Sequence, residues 1–320
     1  MDKMRRNLIA TGLVSPLAIS AVRPAGAQAG KGAGASNDDS RELSGIFAAA
    51  DEMQVGGPRA AGPNQDLSLA QIVLALLERP QDENAANLAT RAGLLLGEHT
   101  RRLRDGADAV PSDIEAAAPP KYQLSTLADS YIQLFRSAKI NPGAESELSR
   151  VAAFINSPSA RERYKEVEAA TTVPWYIVGA LHYREASLNF MGHLHNGDPL
   201  LMQTVHVPAR RPPQPWLPDA VREPKELWRR SAVDALQPLK QKVPNWTIAG
   251  MCYGFELYNG FGCRDHRINS PYLWNYTNHY TSGGFPRDHV FDPRYRSRQA
   301  GLVAIIVTLA RDNPEINIKA

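Results

Sequence analysis

Glu185 is preceded by His182 and followed by His193, His195, Asp198, Thr204 and His206, in a chain that holds eight histidines. Residues of these types can do three things. A carboxyl group can protonate a glycosidic oxygen as a general acid. Several imidazoles with a carboxylate can hold zinc. The same side chains can also tie a helix to a turn by hydrogen bonds alone. Position favours Glu185 for the first role. It falls near the C-terminus of a predicted helix, whose partial negative charge opposes a second one, and Trp175, Val178 and Phe190 supply apolar neighbours. Both influences suit a carboxylic acid that must bring its proton to the bond it breaks. The metal role has weaker support, because no HExxH or comparable two-histidine helical motif is present. No metal or other cofactor is expected, and a metal-dependent hydrolase remains a minor alternative.

The elements that must position these residues are legible in part. VPWYIVGALHYREASL reads as a helix with Thr172 as N-cap and Pro174 in its first turn; Trp175, Val178, His182 and Glu185 then share one face. Beyond it the pattern turns strand-like. His193 and His195 alternate, Asn196-Gly197-Asp198 signals a tight turn, and LMQTVHVP is the return strand of a small hairpin. A Pro-rich loop follows, then helices over KELWRRSAVDALQPL, NWTIAGMCYGFELYN and PRYRSRQAGLVAIIVTLARD, the last capped by Asp292 with Pro293 after it. Between the last two lies a long polar-aromatic loop, GFGCRDHRINSPYLWNYTNHYTSGGF. Its Tyr272, Trp274, Asn278, His279 and Tyr280 either line a binding cleft or pack on one another as a second small core. Many helices with one hairpin predict an α+β, predominantly α-helical fold.

Upstream the chain is plainer. MDKMRRN, an apolar run and Ala25-Gly26-Ala27 read as an export signal over residues 1–27, of Sec or twin-arginine type. Residues 28–40 read as a flexible spacer, 41–106 as helices without chemistry, and 107–121 as a linker. The helical region is either an accessory module or a packing partner of residues 122–320. Four basic residues and one acid in 1–27 account for the whole net charge of +3, so the mature chain is near neutral. No basic footprint points to nucleic acid, and no stable membrane insertion is expected after the signal is removed. Cys252 and Cys263, the two cysteines, could close a disulfide in an exported protein or stand as isolated buried thiols.

Twelve residues separate Glu185 from Asp198, and five separate Asp198 from Thr204. A helix-end glutamate, an aspartate in a hairpin and a threonine beyond it resemble the phage-type lysozymes, with a longer first gap than that family has. The strings VPWYIVGALHYREASLNFMGHLHNGDPL, WRRSAVDAL, YNGFG and INSPYLWNYTNHY, spread over most of residues 122–311, resemble a bacterial family of exported and phage-associated proteins in the lysozyme-like superfamily. The resemblance implies a mostly helical, two-lobed lysozyme-like fold and muramidase action on the β-1,4 bonds of peptidoglycan; the export signal places that action in the periplasm or outside the cell, and a monomer is expected, with the oligomeric state left open by the sequence. Glu185 would then be the general acid, Asp198 would stabilise charge or hold a water that Thr204 orients, and His193, His195 and the five loop residues would bind sugar. A lytic transglycosylase, a chitinase-like enzyme, a non-catalytic peptidoglycan-binding protein and a metal-dependent wall hydrolase are the competing readings.

Overall fold

Acidic residues at the start of a segment, apolar residues at helical spacing and Pro or Gly at the ends mark most of the helices that form. The computed structural model describes residues 37–55, 65–79, 82–104, 121–213, 224–287 and 290–319. The export signal lies outside them, as do residues 28–36 of the spacer and 107–120 of the linker. Residues 37–40, assigned above to the spacer, form instead the first turn of α1 (Asn37–Glu52), where Asp38 and Asp39 suit a helix N-terminus. It packs on α3 (Glu83–Arg104), which pairs with α2 (Gln65–Leu77). Contacts from Ala35 onward gather into one compact unit.

The next helices are α4 (Leu124–Ser137), α5 (Glu145–Asn156), α6 (Pro158–Thr171) and α7 (Trp175–Ala186). They are followed by α8 (Pro224–Ala235), α9 (Gln237–Lys242), α10 (Ile248–Asn259), the single turns α11 (Gly262–Asp265) and α12 (Pro271–Trp274), and α13 (Leu302–Asp312). Helix α7 is central: α3, α5, α6 and α13 all pack against it. Eleven of its twelve residues are buried, among them the polar His182, Arg184 and Glu185, so it is buried on every side rather than amphipathic. Among the described residues no helix is long and apolar enough to cross a membrane.

Three expectations fail in detail. Thr172 does not cap α7; it ends α6 in a left-handed conformation (φ 64°), and Pro174 stands at the α7 N-cap. The hairpin over residues 193–207 does not form. That stretch is a chain of turns with one isolated bridge, Gly192 to Pro199. Pro199, Pro208 and Pro212 have no N–H for a ladder, and the Asp198 carboxylate takes the N–H groups of Val205 and His206, which an opposing strand would otherwise accept. The antiparallel pair lies elsewhere, β1 (Gly284–Arg287) with β2 (Val290–Asp292), irregular in register between its ends. Asp292 therefore ends β2, its Oδ1 accepting the Arg294 N–H at 2.8 Å, and α13 begins only at Leu302 after Gly301. The polar run between them is held by side chains and backbone instead of helical bonds: Asn275 Nδ2 donates to Ser297 O and Gln299 O.

Candidate active site around Glu185

The end of α7 is sharply made. Ser187 (φ 49°) and Leu188 (φ 63°) both lie in the left-handed region, and their N–H groups bond Tyr183 O and His182 O. Two non-glycine residues in that region cost about 1–3 kcal/mol each, so the surrounding packing must hold them there. The turn carries the chain back so that Gly197 (φ 76°) rests on the last residues of α7. A Cβ at Gly197 would stand 2.8 Å from the Glu185 carbonyl oxygen.

Glu185 itself is buried, and its Oε1 accepts the Tyr272 hydroxyl at 2.7 Å. Burial and the neighbouring Glu185 carboxylate push the Tyr272 phenol well above its usual range, so it stays protonated and donates. The Arg184 guanidinium lies 4.9 Å from the Tyr272 ring centre and donates to Gln299 O at 3.3 Å. Of the residues singled out in the sequence, Glu185 and Tyr272 are joined directly, across 87 positions of chain.

Asp198 and Thr204 are spent on the loop. The Asp198 carboxylate is fully buried; Oδ2 accepts from Val205 N at 2.8 Å, His206 N at 2.9 Å and Asn196 Nδ2 at 3.1 Å, and Oδ1 accepts from His206 Nδ1 at 2.6 Å. Burial alone would raise this carboxyl, but the His206 N–H and side chain and the Val205 N–H outweigh it and hold it below the usual range. The Thr204 hydroxyl donates to Pro208 O at 2.5 Å and accepts from Arg211 N at 2.8 Å.

The histidines are bound into the same frame. His193 Nε2 faces Met202 O at 2.6 Å, which fixes the proton there, so Nδ1 accepts from the Ser231 hydroxyl at 2.7 Å. His195 Nε2 faces Asp234 Oδ2 at 2.8 Å, and Arg211 clasps the same carboxylate. Burial depresses His193 to about 4 and His182 to about 3. His182 lies in an aromatic cluster with Tyr164, Phe190 and Trp228, its Nδ1 3.0 Å from the Tyr164 hydroxyl. Among the described residues no group of three or more His, Cys, Asp or Glu side chains is arranged to hold a metal ion.

The aromatic loop folds over its own rings. Tyr272, Trp274 and Tyr280 are buried; Tyr280 is tied to Tyr295 O and Ser297 N. Asn278 accepts from Lys139 N at 2.6 Å and His279 Nε2 meets Ser137 Oγ at 3.2 Å, so both clamp the loop to the end of α4. Cys252 and Cys263 are buried thiols with no disulfide between them, and burial pushes the Cys252 thiol up.

Sequence reasoning missed a second, half-buried carboxyl system. Glu147 accepts from Tyr183 OH at 3.3 Å and Tyr276 OH at 3.1 Å, and burial raises it above the usual range despite both bonds. Tyr276 is held at φ 67°, a strained region for an aromatic residue. No spacing signal marks these three positions, which come from separate segments. Ser231 and Asp234 were not picked out as site residues, although both lie in the WRRSAVDAL string; their partners are His193 and His195. No protein-family model, curated protein or solved structure matches the chain.

Proposed function

We propose that this chain is an exported glycoside hydrolase of the lysozyme-like kind, cutting β-1,4 bonds of peptidoglycan with Glu185 as general acid. The observation that carries the reading is the meeting of Glu185 and Tyr272: a carboxyl group withheld from bulk water at the end of a buried helix, its orientation set by a phenol from a distant loop. A general acid needs that fixed aim at the leaving oxygen. In this reading Glu185 delivers its proton to the glycosidic oxygen as the bond to the anomeric carbon breaks, and water completes the hydrolysis. Asp198 and Thr204 shape the loop that backs Glu185; their oxygens are occupied by the loop itself.

Reducing-end release from purified peptidoglycan, with mass spectrometry of the products, tests this. Wild type is expected to yield reducing muropeptides, unaffected by chelator, and Glu185→Gln none. Anhydro-sugar ends would replace hydrolysis by a transglycosylase reaction. Wall binding without cleavage by either protein would overturn the enzyme reading.

A further inference from the structure

A separate open cavity of about 450 Å³ lies between the start of α4, the junction of α10 with α11, and β1. Its lining residues are not those around Glu185. One wall is aromatic: the rings of Tyr122 and Phe261 stand 5.5 Å apart, with Tyr253 behind Phe261 at 5.6 Å. Across from them Phe285 meets the edge of His266, and His266 lies flat on Phe291 at 3.7 Å with 3° between the planes. An ion pair closes the rim. Asp265 Oδ1 accepts from the Tyr122 hydroxyl at 2.7 Å and from Lys121 Nζ. Asp265 and Lys121 are 48% and 73% exposed, so the pair is open to an incoming ligand.

These features narrow the occupant. The volume suits a small ligand. A polyanion would meet Asp265 and a polycation Lys121, each at a rim whose charges already cancel. A wholly apolar ligand would strip water from the ion pair without replacing its hydrogen bonds, which is unfavourable. A pyranose ring offers what is missing: a CH face for the aromatic wall and hydroxyl groups for the carboxylate and ammonium.

We propose that this cavity is a saccharide subsite separate from Glu185, holding one ring of an uncharged glycan against Phe261 and His266, with a sugar hydroxyl donating to Asp265. A glycan can be held here whether or not Glu185 cuts it; the choice of N-acetylglucosamine oligomers as probe rests on the peptidoglycan reading.

The test is a nitrogen–proton NMR titration of the Glu185→Gln chain with the N-acetylglucosamine trimer. Saturable shifts are expected at the amides of Gly262, His266 and Phe285. Asp265→Ala and His266→Ala, each checked for an otherwise unchanged amide spectrum, should weaken that response about tenfold, the scale of one lost charged hydrogen bond or ring contact. Shifts confined to the neighbourhood of Glu185 and Tyr272 would overturn the subsite, as would no shifts at all or shifts that both substitutions leave unchanged. Reducing-end release by the wild-type chain is measured alongside. Its absence, with the Gly262 and His266 shifts intact, would sink the hydrolase reading and leave the subsite standing.

Discussion

Tyr272→Phe removes one hydroxyl and leaves a buried ring in place. The lost hydrogen bond, to the carboxyl group a general acid must keep neutral, is worth about 0.5–1.5 kcal/mol. If the bond aims the carboxyl in the transition state, kcat should fall about two- to tenfold, with KM little changed and the melting temperature lowered by about 1–4 °C. A normal kcat would mean that Tyr272 merely fills space. Asp198→Asn is expected to act differently, because Asp198 accepts from three backbone or side-chain groups in the loop and one imidazole. Its amide can no longer accept at every contact, so stability should drop by about 1–3 kcal/mol, read by urea unfolding, with activity lost through the loop. The buried histidines set a pH dependence of their own. Burial holds His182 at about 3 and His193 at about 4, while an unfolded histidine titrates near 6.5. The folded values lie below the unfolded one, so on acidification the unfolded chain binds protons first. Stability is full above pH 6.5 and falls from there to about 4 for His193 and about 3 for His182, each histidine contributing a slope of about 1.4 kcal/mol per pH unit within its window. Melting curves from pH 7.5 to 4.5 check this, and His182→Phe should flatten the decline. An unchanged slope in that variant would remove His182 from the account.

At the scale of elements, the turn at Gly197 is the clearest target. It needs a positive φ, and any side chain there would press on the Glu185 carbonyl at 2.8 Å. Gly197→Ala should cost about 1–3 kcal/mol through strain alone and displace the end of α7, lowering both melting temperature and activity; an unaltered kcat would separate the turn from the site. Helix α7 was legible because a buried helix with a Pro at its start and a glutamate at its end leaves a plain pattern. The neighbouring hairpin was not, and the reason is physical. His193 and His195 alternate as strand residues do, yet each is spent on a partner in another element, Ser231 and Asp234, which no local pattern reveals. Asp198 drew attention by its spacing from Glu185, and that spacing gives no sign that its carboxylate also accepts from N–H groups seven and eight residues on. Asp292 looked like a helix cap because aspartate before proline is common there; the same side chain closes a turn after β2. Short polar motifs thus carry two local meanings, and tertiary contacts choose between them.

The whole molecule bears on what residues 41–106 are for. In sequence they were either an accessory module or a packing partner. Side chains cross between them and the rest at the back of the site: Asn189 Nδ2, three residues past α7, donates to Gly93 O at 2.8 Å, and Gly93 has no room for a Cβ, which would stand 2.4 Å from Met191 Cβ. Arg163, 3% exposed, pairs with Glu78 at 2.9 Å and lies 5.2 Å from the Phe190 ring centre. Leu88, Ala89, Ala92 and Leu96 of α3 belong to the same apolar core as Phe190 and Met191. Removing α1–α3 would therefore bare an apolar face and take the Glu78 carboxylate away from the Arg163 guanidinium. A chain beginning at Lys121 is expected to unfold at markedly lower denaturant than the longer chain and to lose activity in proportion. The gentler Glu78→Gln should lose stability while keeping kcat, since the left-handed turn at Ser187 and Leu188 still carries the chain past Asn189 to Gly93. A truncated chain with unchanged stability and kcat would make these helices an accessory after all; a truncated chain that is stable but inactive would assign α3 to the site, through Asn189 and the turn that backs Glu185.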